Sequence, residues 1–176
     1  WANWPMSGAW LCQHLWEHYA FGGDVEFLRN QAWPVMKGAA EFCLDWLYED
    51  GGGYLVTGPS TSPETGFIAP DGETASVSKA TTSDMALIWD LFTNCIEALQ
   101  VLGTDKEFRR RLEEARSRLF PPPIGSQGQL LEWFREFEEK DPHHRHQSHL
   151  IGLHPGRQFT PRQTPRLFDA ARKALE

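Results

Sequence analysis

The sequence predicts an all-α fold, on two observations. Apolar residues recur at helical spacing in successive blocks, and glycine stops followed by aspartate starts punctuate those blocks. From Gly8 to Phe21 the residues Ala9, Trp10, Leu11, Leu15, Trp16 and Tyr19 follow the helical period, and Gly22 and Gly23 end the run. Asp24 stands as the N-cap of a second segment carrying Phe27, Leu28, Trp33, Met36, Ala40, Phe42 and Trp46, with Pro34 placed to break or kink it near its middle. The polar stretch from Asp50 to about Ser78, rich in Gly, Pro, Ser and Thr, reads as an ordered functional loop. Tyr54 and Phe67 anchor it, and prolines stiffen its PSTSPE run. Helix resumes from Thr82 to Leu102, stops at Gly103, restarts after Asp105 as far as Leu119, and ends at Pro121, Pro122 and Pro123. A turn over Gly125 to Gln129 follows, then an acidic aromatic helix with Trp133, Phe134 and Phe137, a histidine-rich loop, and a last helix from about Thr164.

The run from Phe21 to Phe27 and the run from Leu102 to Phe108 both order helix, glycine stop, acidic cap and new helix. Such repetition points to stacked helical hairpins, although common helix punctuation also produces it.

With 176 residues, of which 40% are hydrophobic, the chain can build a sizeable core. A net charge of −7 with no basic face excludes nucleic acid as a partner. Cys12, Cys43 and Cys95 are odd in number and lie in apolar stretches, so they read as buried thiols rather than a disulfide or CxxC metal framework. The eight tryptophans suit either sugar-stacking platforms or core filling. No stretch is expected to be apolar for the length needed to cross a bilayer. The chain opens on Trp1 and reaches Glu176 inside an amphipathic pattern, so both ends are expected to be internal to a longer domain, and location is not legible.

Two stretches offer chemistry. In Pro59-Ser60-Thr61-Ser62-Pro63-Glu64, prolines restrict the backbone and hydroxyls bond locally, holding one carboxylate in place. A glycosidase needs such a group to protonate a leaving oxygen, with a pKa raised by apolar neighbours such as tryptophans. From spacing alone, a surface turn with a solvated glutamate is the simpler reading. The second stretch runs from Asp141 to Leu150 and contains His143, His144, Arg145, His146 and His149. His146 and His149 would share a face if helical, which raises the question of zinc. Arg145 beside the ion, and no cysteine close by, weigh against it. A polar wall donating hydrogen bonds to neutral hydroxyls, or a loop capping the next helix, are the other readings.

Five segments in order carry a resemblance: WPMSGAWLCQHLWEHY from Trp4, MKGAAEFCLDWL from Met36, PSTSPE from Pro59, LFTNCIEA from Leu91 and RHQSHLIGLHPG from Arg145. Together they resemble the catalytic domain of glycoside hydrolase family 95, the inverting 1,2-α-L-fucosidase family that also contains α-L-galactosidases. The resemblance implies that residues 1–176 are part of a six-hairpin (α/α) toroid truncated at both ends, acting on a fucosylated oligosaccharide or polysaccharide. It implies Glu64 as general acid, Arg145 and His146 as binders of sugar hydroxyls, and Trp4 or Trp10 as a subsite wall. It implies no metal and no cofactor, and a secreted or periplasmic setting. The family's Asn-x-Asn and Asp-Gly-Asn-Phe runs, which handle the attacking water, do not occur here, so the general base is expected outside this chain. An α-L-galactosidase or a non-catalytic sugar-binding module are the alternatives.

Overall fold

The computed structural model describes residues 4–176. It is predominantly α-helical, with strands of only two residues. The helices are α1 (Ser7–Gly22), α2 (Val25–Phe27), α3 (Trp33–Trp46), α4 (Thr82–Leu102), α5 (Lys106–Ser117) and α6 (Pro165–Lys173). The chain divides into two compact units, one comprising Pro5–Leu55 and Leu87–Leu119, the other Val56–Ala86 and Phe120–Glu176 with Trp4.

In the first unit the two glycine–aspartate junctions share a left-handed glycine stop and an aspartate cap, although Asp24 is extended and Asp105 left-handed. Gly23 and Gly103 take φ of 68° and 65°, and their amides bond back to the carbonyls of Tyr19 and Leu99. Asp24 Oδ1 then accepts from the amides of Glu26 and Phe27, and Asp105 Oδ1 accepts from that of Phe108. The sequence expectation of a break at Pro34 is corrected in position. The helical path runs on without a break into α3, and the irregularity is a π-helical turn at Leu28–Ala32, in the turn just before Pro34. Met36, Ala40 and Cys43 of α3 are buried, as are Ala9 and Cys12 of α1 and Leu91, Phe92, Cys95 and Leu99 of α4. The three cysteines are free, buried thiols. Strands β1 (Tyr48–Glu49) and β2 (Leu55–Val56) form a small hairpin beyond α3.

Helix α4 also corrects the bilayer expectation. Its most apolar window has a mean hydropathy of 1.3 and is long enough to span, yet 78% of that window is buried inside the protein. A helix apolar on all sides behaves this way as the centre of a core.

In the second unit, β3 (Phe67–Ile68) pairs antiparallel with β4 (Thr74–Ala75) on one side and β5 (Glu138–Glu139) on the other. The expected aromatic helix around Trp133 is absent. The segment is irregular and runs into β5. Tertiary bonds outcompete helical ones: the Leu130 amide donates to the Ala170 carbonyl, the Leu131 amide to the Pro123 carbonyl, and the Glu132 carbonyl accepts from the Thr82 amide. Phe67 meanwhile stacks on Phe137 and contacts Trp133 with ring centroids 4.1 and 4.6 Å apart.

Leu130, Leu150, Phe159, Ala170 and Ala171 make the core beneath α6. A 3₁₀ turn at Ser148–Gly152 enters it. A Cβ on Gly152 would lie 2.7 Å from the Phe159 ring, which is 1% exposed and cannot retreat. Gly152→Ala is therefore expected to destabilise the protein by about 1–3 kcal/mol, the usual cost of overpacking. A thermal melt unchanged from the parent would refute this packing.

Candidate active site

The PSTSPE run sits in the second unit as an ordered loop pinned from three sides. Ser60 and Ser78 exchange two backbone hydrogen bonds of 2.8 Å each, and the Ala80 amide donates to the Thr57 carbonyl at 3.0 Å. Ala80, fully buried, holds φ at +44°, a left-handed conformation that only a well-determined surrounding sustains in a non-glycine residue.

Below the loop lies Asp84, in the first turn of α4. Its Oδ2 accepts from Ser60 Oγ at 2.6 Å and Thr57 Oγ1 at 3.0 Å, while Ser60 Oγ also accepts from the Thr81 amide. Asp84 is buried, its Oδ1 has no hydrogen-bond partner among the described residues, and desolvation lifts its pKa to about 6 against the opposing pull of the hydroxyls. Ser62 is likewise fully buried and donates to Glu132 Oε1 at 2.5 Å. Thus each serine of the motif points inward onto an acid, Asp84 fully buried and Glu132 largely so.

Between them and the surface the chain turns. The Thr65 amide donates to the Ser62 carbonyl at 3.2 Å, with Pro63 and Glu64 at the corners, proline taking the second position that its fixed φ favours. Ser148 Oγ donates to the Pro63 carbonyl at 3.2 Å. The turn exposes Glu64, whose side chain is 43% accessible. Glu64 Oε2 is bound by Arg145 Nη2 and by His146 Nε2, the latter at 2.9 Å.

The structure thereby brings together Glu64, Arg145 and His146. Two sequence expectations about them need correction. Glu64 is partly solvated rather than enclosed, and its pKa is lowered, first by the His146 hydrogen bond and then, against some desolvation, by the Arg145 charge. His146 and His149 do not share a helix face, because the 3₁₀ turn begins only at Ser148. His149 turns inward instead, 7% exposed, with Nδ1 at 3.9 Å from Glu132 Oε1, and burial pushes its pKa down to about 4. Among the described residues no group of three or more His, Cys, Asp or Glu is gathered to hold a metal. Trp4 belongs to the unit that carries Glu64, whereas Trp10 is an exposed residue of α1 in the other unit.

Asp84, Glu132 and Ser148 were not singled out in the sequence. Only Ser148 carried a signal, its place inside the RHQSHL run. Glu132 also lines a cavity of about 160 Å³ together with His144, His146, Gln147 and His149.

Comparison with known proteins places this geometry in context. Alpha-L-fucosidase 2 of Arabidopsis thaliana is 44% identical over 177 aligned residues, covering 100% of this chain and 21% of that protein. Probable alpha-fucosidase A of Aspergillus niger is 35% identical over 162 residues, covering 89% of this chain and 20% of that protein. The chain thus spans about a fifth of the length of the curated relatives it matches. The model of the glycosyl hydrolase family 95 catalytic domain matches residues 1–176. With the whole chain matched, and with PSTSPE and RHQSHL meeting at one carboxylate, the chain belongs to the glycosyl hydrolase family 95 catalytic domain family.

Proposed function

We propose that this chain is the general-acid-bearing part of a hydrolase that removes terminal α-L-fucosyl groups from an oligosaccharide or polysaccharide with inversion. The observation that carries the reading is the Glu64 carboxylate, presented on a proline turn and bound by Arg145 and His146. Membership of a family whose relatives are named as fucosidases supports the substrate class.

In the reaction, Glu64 delivers its proton to the glycosidic oxygen as the bond from that oxygen to the anomeric carbon breaks and its electron pair leaves with the oxygen. Water adds to the anomeric carbon from the opposite face and surrenders a proton to a base. That base lies in parts of a six-hairpin toroid beyond residues 1–176, the chain's partners within its own domain. Of the two candidate tryptophans, Trp4 belongs to the unit that carries Glu64 and is the one that supplies a flat platform for the sugar's apolar face.

Glu64 must carry a proton to act, and the hydrogen bond from His146 and the charge of Arg145 favour the ionised form. Sugar hydroxyls resolve the conflict. When they draw the N–H groups of Arg145 and His146 onto themselves, Glu64 loses the contacts that hold its pKa down, and it takes up a proton in the bound complex. Binding therefore arms the acid.

Three outcomes are expected. In the whole enzyme, Glu64→Gln lowers kcat on a 1,2-linked fucosyl oligosaccharide by about a hundred- to ten-thousand-fold, the span of a positioned general acid. Near-normal turnover would reject the assignment. In the free protein, His146→Ala raises the Glu64 pKa toward the ordinary carboxylate value, because it removes the largest cause of the depression. A carbon-13 NMR titration of the Glu64 carboxyl reads this directly, and an unmoved or lowered midpoint contradicts the pairing. Residues 1–176 alone bind the sugar weakly and do not hydrolyse it, checked beside a chain extended at both ends. Equal activity in the two would place the base within these residues.

A further inference from the structure

Glu132 is a buried acid that the reaction above leaves unused. Its side chain is 18% exposed, and its two ends are tied down separately. The carbonyl accepts from the Thr82 amide at 3.0 Å and Oε1 accepts from Ser62 Oγ at 2.5 Å. Ser62 in turn uses its own carbonyl to close the turn with the Thr65 amide. One residue therefore links Glu132 to the corner on which Glu64 stands, two positions along a proline-stiffened backbone.

Resting on the reading of Glu64 as general acid, we propose that Glu132 is a positioning residue for it, acting through Ser62 and the Ser62–Thr65 turn. A buried glutamate is a costly way to hold a serine, since an amide would accept the same bond without desolvating a charge. Burial raises its pKa to about 7, with the Ser62 bond pulling down, Glu139 pushing up and His146 pulling down. His149 stands 3.9 Å from the same oxygen and is held neutral by burial, and Asp141, His144 and Lys173 line the adjoining cavity. The bond from Ser62 to Oε1 therefore fixes the residue whose carbonyl closes the turn, and Glu64 keeps its place beside Arg145 and His146 only while that turn holds.

The test compares leaving groups in the whole enzyme. A fucosyl oligosaccharide needs its departing oxygen protonated, whereas α-L-fucosyl fluoride releases a stable anion and leans little on the acid. Glu132→Ala and Ser62→Ala cut the same link from its two ends. Each is expected to lower kcat on the oligosaccharide by about 10- to 100-fold, a part of the full general-acid contribution. The loss on the fluoride should stay within about threefold, with KM nearly unchanged, as is expected when chemistry rather than binding is impaired. Glu132→Gln keeps an acceptor for Ser62. It should restore most of the rate on the oligosaccharide.

Equal losses on both substrates, a rise in KM with kcat intact, or wild-type behaviour of the alanine variants would overturn the proposal. If the alanine variants fail to fold, Glu132→Gln decides on the same two substrates: a loss of equal size on both refutes the proposal, and a loss confined to the oligosaccharide supports it. Glu64→Gln in the same series separates the two claims. If it loses the oligosaccharide and spares the fluoride while the Glu132 variants match wild type, only the positioning role falls. If it keeps oligosaccharide turnover, the general-acid reading falls and the positioning role falls with it.

Discussion

The site depends on one requirement, that the hydroxyls buried under the loop be satisfied. Ser60 and Ser62 are removed from water, and each buried hydroxyl left without a partner would cost about 1–3 kcal/mol. Asp84 and Glu132 meet that demand from two different segments. Through them a non-helical stretch acquires a defined path, and the turn beyond it a fixed corner. The acids are themselves unhappy in burial, and their raised pKa values measure that cost. The arrangement is thus a trade between two kinds of desolvated polar group, sustained because each relieves the other.

The same economy explains the divided labour of the RHQSHL run. Arg145 and His146 face the solvent side of Glu64, Ser148 holds the Pro63 carbonyl, and His149 turns into the interior beside Glu132. Because the 3₁₀ turn starts at Ser148, successive side chains fan out instead of lining one face. A single short segment therefore contacts the loop at its acid, its backbone and its buried support.

Much of the fold was legible because it is written in local code. The limits of α4 follow from periodicity and the glycine at 103, and the two aspartate caps from residue type alone. The segment around Trp133 misled because aromatic and acidic residues at helical spacing say nothing of where backbone carbonyls will be claimed, and Thr82 claims two of them. Helix α4 shows the converse limit: composition cannot tell a core from a bilayer, whereas burial can. For the site, motifs exposed Glu64, Arg145 and His146. Asp84 and Glu132 stayed hidden because a buried acid and a solvated one look alike in sequence, and their partners lie 24 and 70 residues away.

The pinning of the loop has a further consequence for its motion. The amides of Ser60, Ser78, Ala80 and Thr81 all donate to acceptors inside the protein, and Ser60, Ala80 and Thr81 are almost wholly buried. Slow exchange of such hydrogens with solvent requires bonding and burial, not regular secondary structure. These four amides of a glycine-, proline- and serine-rich stretch, which composition would class among the most mobile parts of a chain, are expected to exchange as slowly as those of an interior strand. The acid therefore stands on a loop whose flanking backbone is bonded and buried like the core beneath it.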